Sequence, residues 1–365
     1  MHMAVARNGA QTFEGGRRMG KRIIYCADGT WDNTGNNTNV YKFFKALQTT
    51  AEQVPYYDDG VGADGLPLEK LAGGAFGTGL YQKIKDGYTK VAHAYEQGDQ
   101  VFLIGFSRGA YTARCLAGMI AACGLPTANF TDDVVNKAFD AYRSKLLRAK
   151  ILADLNKTCD LFDAKLSMVG VWDTVGSLGI PAIFGGVDPI VYGFLDTTLH
   201  PNVLNAYHAL AIDERRCEFP ATLWSAPASG QVLEQVWFAG VHCDVGGSYP
   251  DDPDGTALAD ITLSWMISKG AALGLDFADG IQTKYPFPID PKYALDTKHE
   301  SWNVAWTFPK RRTVGPDSSV ASSVYVRSEN ESSYRPENLT FAGSEPAPGY
   351  QRVAVVTASK AAGSA

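Results

Sequence analysis

A serine with a glycine two positions before it and another two positions after it is the feature of this sequence that most directly indicates chemistry. Gly105, Ser107 and Gly109 form this Gly-x-Ser-x-Gly motif, which an apolar run precedes and a run of small residues follows. The order predicts a strand, a tight turn (a nucleophile elbow) and a helix, because only residues without bulk fit on either side of the serine. Such a turn exposes the hydroxyl and points the backbone N–H of Arg108 at the space beside it. The motif therefore predicts a nucleophilic serine, with Arg108 supplying half of an oxyanion hole.

A serine hydroxyl is a weak nucleophile unless a base accepts its proton, and that base needs an acid to orient it. Among the six histidines, His242 alone follows a strand-like run and precedes flexible glycines, so it is the candidate base. Asp173 ends a strand-like run between the serine and the histidine in the sequence, and it is the favoured acid. Asp244 is the rival, but it stands two residues from His242 and cannot readily face the ring, so capping the turn is its expected role. We therefore predict a triad of Ser107, Asp173 and His242.

A second donor to the oxyanion hole is expected from the loop after the first strand-like run. That run covers residues 22–26, and Asp28, Gly29 and Thr30 come shortly after it. A backbone N–H of Gly29 or Thr30 is the candidate donor to the carbonyl oxygen of a substrate. Asp28 is expected to brace the loop by hydrogen bonds rather than to react.

Strand-like and helix-like runs alternate along the chain, which predicts an α/β fold with a mostly parallel central sheet and helices on both faces. The predicted strands cover residues 22–26, 54–61, 101–104, 166–172, 216–224 and 234–241. The candidate serine, histidine and acids each lie at or just after the end of a strand-like run. Functional groups gather at the carboxyl edge of parallel sheets, so this convergence supports the site more than any single motif does.

The chain is divided into three predicted parts, which are an N-terminal arm of residues 1–20, an α/β-hydrolase-like domain of residues 21–341 and a loop-like C-terminal tail of residues 342–365. An insertion is predicted within the domain around residues 179–215, with His200 and His208 in a loop and helix. Its first part, residues 179–195, is apolar but broken by glycine, proline and aspartate. This composition is typical of a lid or of the wall of an acyl-chain pocket, and it fits buried loop packing equally well.

The overall composition bounds the class of protein. With 45% hydrophobic and 20% charged residues, the 365-residue chain is typical of a soluble globular protein with an ample core. A formal net charge of −6 gives no electrostatic reason to expect nucleic acid as a partner. The sequence shows no apolar run of membrane-spanning length and no secretory signal, so a cytoplasmic location is expected, with export by a system that needs no signal peptide left open. The six scattered cysteines are expected to be free thiols, of which Cys243 beside His242 is the candidate for reactivity.

Several blocks of this sequence resemble one family of α/β-hydrolases. Among them are CADGTWDNTGNNTNV from Cys26, GDQVFLIGFSRGAYTARCLAG from Gly98, VGVWDTVGSLG from Val169 and VWFAGVHCDVGGSYPD from Val236. The blocks span about residues 21–340 and resemble the family that includes the type VI secretion phospholipase effectors. The resemblance implies a serine esterase mechanism on Ser107, Asp173 and His242, phospholipid acyl esters as substrates and transient contact with a lipid surface. One departure is Cys243, where the family more often has a small polar residue.

The mechanism that these residues predict needs no metal and no organic cofactor, but three alternatives stay open. Residues 23–30 are similar to an aspartyl-phosphate phosphatase motif, although Cys26 stands where the nucleophilic aspartate would be. A mixed oxygen and nitrogen metal site could be formed by Asp28, Asp173, His242 and Asp244. The third alternative is a binding or scaffold protein, because a hydrolase fold alone does not guarantee activity.

Overall fold

A parallel sheet forms the centre of the chain in the computed structural model, which describes residues 20–29, 37–60, 74–126, 130–175, 197–303, 306 and 308–358. Within these residues the sheet has eight strands, and every pair of hydrogen-bonded neighbours runs parallel. In chain order, the strands are β1 Arg22–Ala27, β2 Gln53–Asp58, β3 Gln100–Phe106, β4 Leu166–Trp172, β5 Asn205–Ala211, β6 Val232–Phe238, β7 Ser319–Ala321 and β8 Gln351–Val353. Their order across the sheet is β8-β7-β6-β5-β4-β3-β1-β2.

Helices cover both faces of this sheet. They are α1 Asn39–Ala46, α2 Gly74–Ala94, α3 Ser107–Cys123, α4 Asp132–Arg143, α5 Arg148–Leu155, α6 His242–Gly246, α7 Ala259–Ala272, α8 Ile281–Lys284 and α9 Ser322–Asn330, with a 3-10 helix at Pro291–Leu295. Short two-stranded pairings join Leu125–Pro126 to Leu161–Phe162 and Phe341–Ala342 to Glu345–Pro346.

Strand β1 shows how the two faces divide the core. Its side chains alternate, so Ile23 and Tyr25 join one apolar cluster with α2, α3 and α4, whereas Ile24 and Cys26 join another with α1, α7 and α9. Both faces of the strand are therefore buried, which explains its continuous apolar run. The predicted fold class is confirmed: this is an α/β-hydrolase-like fold with a mostly parallel central sheet between helical layers.

Two predictions about the middle of the chain are wrong. Residues 205–211, assigned to an insertion, form the central strand β5, and residues 216–224 form isolated bridges rather than a strand. The β5 sequence NAYHALA contains three alanines, which favour helices, but neighbouring strands on both sides override that propensity. In the second segment Pro220 has no N–H to donate to a strand ladder.

The C-terminal tail prediction also needs correction, because part of that tail belongs to the sheet. Strand β8 pairs with β7 as the edge of the sheet, and Val355 and Val356 after it are buried. Among the described residues, no helix is both long and apolar enough to cross a bilayer. Residues 179–195, which we interpreted as a lid or pocket wall, and Thr30 lie outside the described residues.

Candidate active site

The turn between β3 and α3 holds Ser107 in a strained conformation. Ser107 has a positive φ of 57° and is the first residue of α3, directly after the strand. A Cβ at Gly105 would collide with the Gly109 carbonyl, and a Cβ at Gly109 would collide with the Ala27 carbonyl of the adjacent strand. Both glycines are therefore required by close approach of backbone, as in a nucleophile elbow.

The imidazole of His242 lies between the serine and the aspartate. His242 follows β6 and is the first residue of α6. Its Nε2 lies 2.8 Å from Ser107 Oγ, and its Nδ1 lies 2.6 Å from Asp173 Oδ2. With the proton on Nδ1, the ring donates to the carboxylate and accepts from the hydroxyl. The structure thus brings the three residues of the predicted triad into one hydrogen-bonded chain.

Two aromatic rings enclose this imidazole. The ring centroid of Phe106 lies 4.6 Å from that of His242, and the Phe219 centroid lies 5.1 Å away in an edge-on arrangement. Burial lowers the pKa of His242 below its ordinary value, although the hydrogen bond and charge of Asp173 act in the opposite direction. The imidazole is therefore neutral at neutral pH and can accept a proton.

The carboxylate of Asp173 is held by an arginine that the sequence analysis missed. Arg312 Nη1 donates to Oδ1 at 2.5 Å and Nη2 donates to Oδ2 at 2.9 Å, while the Ala211 N–H donates to Oδ1 at 2.9 Å. Burial alone would raise the pKa of Asp173, but the Arg312 charge and the His242 hydrogen bond outweigh it and hold the pKa well below its usual range. The acid is therefore a fixed carboxylate anion.

Arg312 is itself anchored, which makes it a rigid clamp rather than a mobile counter-ion. Its guanidinium also donates to the carbonyl oxygens of Ala211 and Phe219 at 2.9 Å and 2.8 Å. Arg312 stands 139 residues after Asp173, in a segment without clear periodicity. No local sequence signal connects the two, so only the folded chain identifies this clamp.

Two further residues near the site were also missed. The Glu214 carboxylate accepts from the His242 backbone N–H at 3.3 Å and binds the guanidinium of Arg216 in a bidentate pair. His208 on β5 accepts from the Thr174 N–H through Nε2 at 3.1 Å. Burial, reinforced by the charge of Arg114, lowers the pKa of His208 to about 3, so the ring stays neutral and acts as an acceptor. Both residues hold the backbone beside the triad.

In the loop after β1, Asp28 makes bracing hydrogen bonds of the kind expected for it, but the Gly29 amide is not placed as predicted. The Gly29 N–H donates to Asp28 Oδ1 at 2.8 Å, so in this structure Gly29 does not offer the oxyanion donor predicted for it. The other oxygen of Asp28 accepts from the hydroxyls of Thr38 and Tyr57. Asp28 thus braces the loop, and its carboxylate captures the amide that follows it because the two are adjacent in a tight turn. Arg108, the second residue of α3, keeps its backbone N–H in the first helical turn beside Ser107.

Asp244 binds a different histidine from the one the rival interpretation required. Its Oδ1 lies 2.6 Å from His299 Nδ1, and its Oδ2 accepts from the Val241 N–H at 3.0 Å. Asp244 therefore caps the turn that carries His242. The four residues of the metal-site alternative do not meet at one point, because Asp28 and Asp244 are each engaged elsewhere. Within the described chain, no group of three or more residues of metal-binding type is close enough to hold an ion.

An α/β-hydrolase-like sheet with a serine, a histidine and an aspartate hydrogen-bonded at its carboxyl edge defines the class of this protein. Comparison with protein families gives the finer assignment: the family described as "T6SS, Phospholipase effector Tle1-like, catalytic domain" matches residues 21–269. The chain therefore belongs to the Tle1-like catalytic-domain family of type VI secretion phospholipase effectors.

Similar proteins were found in both sequence and structure comparisons. An uncharacterized protein of Saccharomyces cerevisiae, YEL023C, is 30% identical over 228 residues, which are 55% of this chain and 32% of the yeast protein. A crystal structure of an uncharacterized protein from Pseudomonas aeruginosa aligns with a TM-score of 0.42 and 14% identity, over 77% of this chain and 49% of that one. A structure of the Tle1 effector bound to the VgrG spike of the type 6 secretion system aligns with a TM-score of 0.37 and 16% identity, over 69% of this chain and 57% of that one. The chain thus spans about a third of the yeast protein and about half of the two structural neighbours.

Proposed function

We propose that this protein is a serine hydrolase of carboxylic esters that cleaves acyl chains from phospholipids. The observation that carries the proposal is the hydrogen-bonded chain from Ser107 through His242 to Asp173, with the carboxylate fixed by Arg312. A binding protein has no need of a strained serine, a neutral buried base and a clamped anion in one line. Membership of a phospholipase family supports a lipid ester as the substrate.

The mechanism follows from the three side chains. Ser107 Oγ attacks the ester carbonyl while His242 Nε2 accepts its proton, and Asp173 stabilises the imidazolium that forms. The negative charge that develops on the carbonyl oxygen is stabilised by the Arg108 N–H. His242 then protonates the leaving alkoxide, and a water molecule activated by the same ring releases the fatty acid and restores Ser107. No metal or organic cofactor takes part.

Membership of the same family supports a proposal about the location of the protein. We propose that the chain acts after export by a type VI secretion system, which requires no signal peptide. The cytoplasmic location expected from the sequence then describes the protein before export.

Hydrolysis of p-nitrophenyl esters from acetate to palmitate tests this function directly. We expect activity on the series, labelling of Ser107 by a fluorophosphonate, and cleavage of phosphatidylglycerol in mixed micelles. The value of kcat/KM should rise with pH through a pKa below the ordinary histidine value of about 6.5, because only the neutral imidazole accepts a proton. Well-folded protein that neither hydrolyses any ester nor takes up the probe would favour a binding protein instead.

Replacing Arg312 with methionine is expected to shift the acid limb of this pH profile upward by about one unit and to lower kcat about 10- to 100-fold. Without the guanidinium, the Asp173 carboxylate stabilises the imidazolium of His242 more strongly, so the pKa of His242 rises. Loss of the clamp also lets the carboxylate move, which lowers kcat. Arg312→Lys keeps the charge and should leave the acid limb in place while kcat falls. An unchanged pH profile for a folded Arg312→Met protein would contradict this role.

A further inference from the structure

A cavity lined by positive side chains lies beside the histidine of the site. It has a volume of about 230 Å³ and is lined by Arg216, Cys217, Phe219, Pro220, Ala221, Lys310, Arg311, Arg312 and Thr313. We call it the basic cavity. Four of its nine lining residues are cationic and none is acidic. A concave site of this charge favours an anionic ligand group.

The basic cavity is next to the reacting groups. Phe219 lines it, and the edge-on contact between the Phe219 and His242 rings places one wall of the cavity a single side chain from the proposed base. Arg312, another lining residue, holds Asp173. The wall of the cavity at Phe219 is therefore close to His242, and in a phospholipid only a few covalent bonds separate the acyl ester from the phosphate.

The cations of the cavity differ in how far they are already neutralised. Arg216 and Arg312 are paired with Glu214 and Asp173, which are fully buried and do not line the cavity. Arg311 is paired with Glu337, whose side chain is 73% exposed, and exposed pairs of this kind contribute little. Lys310 is exposed and takes part in no ion pair with the described residues. The ammonium of Lys310 and the guanidinium of Arg311 are thus available to an incoming phosphate.

The segment that carries these two residues has a fixed backbone and an exposed aromatic side chain. The Lys310 N–H donates to the Arg215 carbonyl at 2.7 Å, and Pro309 forms an isolated bridge with Arg216. Phe308, two residues before Lys310, is 82% exposed. An exposed aromatic ring beside basic side chains is typical of proteins that rest on an anionic lipid surface, where the ring enters the interface and the cations meet the phosphates.

We infer that the basic cavity is a subsite for the phosphate of a phospholipid head group, with Phe308 inserted into the lipid surface beside it. The inference rests on the proposed function and deepens it, because it explains how a phospholipid is selected over a neutral acyl ester. Lys310 and Arg311 bind the phosphate at the mouth of the cavity, and the positive charge of the Arg216 guanidinium attracts it electrostatically. The acyl ester then lies toward Ser107, past Phe219.

Turnover of two matched lipids tests the subsite. In mixed micelles, Lys310→Ala is expected to raise KM for dioctanoyl phosphatidylglycerol about tenfold and to leave KM for dioctanoylglycerol, which lacks the phosphate, unchanged. Lys165→Ala is the control. Lys165 is also exposed, but it precedes β4 and so lies at the amino ends of the strands, whereas the site lies at their carboxyl ends. Equal changes in KM for both lipids, or no change for either, would overturn the proposed subsite. The proposal that the protein hydrolyses esters would still stand.

A binding measurement keeps the inference testable even if the protein proves not to hydrolyse esters. With the Ser107→Ala protein, calorimetric titration of dihexanoyl phosphatidylglycerol is expected to give a Kd about tenfold weaker after Lys310→Ala is added. Failure of the proposed function would remove turnover but not this difference in Kd. Identical Kd values with and without Lys310 would overturn the subsite.

Two further arms separate the sources of the anion and the role of the aromatic ring. Inorganic phosphate is expected to compete with the lipid only weakly. If phosphate instead binds tightly, and Lys310→Ala abolishes that binding without changing the preference for phosphatidylglycerol over dioctanoylglycerol, the cavity is a site for free phosphate. Phe308→Ser is expected to lower the rate on phosphatidylglycerol vesicles severalfold without changing hydrolysis of monomeric p-nitrophenyl butyrate. An unchanged vesicle rate would remove Phe308 from the lipid contact.

Discussion

Replacing Ser107 with alanine is expected to lower kcat for ester hydrolysis by about four to six orders of magnitude. The strained turn after β3 holds the hydroxyl 2.8 Å from His242 Nε2, and no other described hydroxyl is hydrogen-bonded to that nitrogen. Without the nucleophile, the acyl-enzyme cannot form, and only weak catalysis by water at the oxyanion hole is left. The measurement is kcat on p-nitrophenyl butyrate, together with loss of fluorophosphonate labelling.

Ser167→Ala is the matched control for this prediction. Ser167 is also buried, but it lies at the amino end of β4, away from the carboxyl edge that carries the site. We expect its alanine variant to retain the activity of the original protein. If Ser107→Ala kept its turnover while folding normally, the serine mechanism would have to be abandoned.

Replacing Asp173 with asparagine is expected to lower kcat about 10⁴-fold with a small change in KM. The carboxylate accepts from both His242 Nδ1 and the Arg312 guanidinium. An amide in its place must present its NH₂ group to one of these two donors, so the imidazole loses its acceptor or the clamp is broken. The ring then adopts the wrong tautomer for accepting a proton from Ser107. Rates above neutral pH and the unfolding temperature should be measured together.

The variant Asp244→Asn distinguishes the two candidate acids. Asp244 binds His299 and caps the turn before His242, so its loss should reduce kcat by no more than about tenfold through movement of that turn. Near-equal losses for the two asparagine variants would instead favour Asp244 as the acid or as an equal partner.

Local sequence patterns were sufficient to predict the parts of the site that depend on local geometry. The Gly-x-Ser-x-Gly motif predicts the elbow because the tight turn leaves no room for a side chain two positions before or after the serine. The run before Asp173 predicts a strand end because a fully buried parallel strand needs a largely apolar sequence, and the shorter apolar run of residues 236–238 gives the same indication before His242. The carboxyl edge then follows from the shared direction of parallel strands, which is why three distant residues could be expected to meet. The catalytic roles assigned to them stay predictions until the variants are measured.

The fold class, the family and the residues expected to react could therefore all be predicted from the amino-acid sequence. Only the folded chain shows which distant partners these residues have, namely the clamp from Arg312 on Asp173 and the hydrogen bond between Asp244 and His299. It also decided that residues 205–211 are a central strand, because neighbours on both sides supply hydrogen bonds that outweigh the helical preference of alanine. Steric and apolar patterns act over a few residues and can be read from the chain. The pairing of charged side chains and of strands that are distant in the sequence, such as Arg312 with Asp173, depends on the assembled fold.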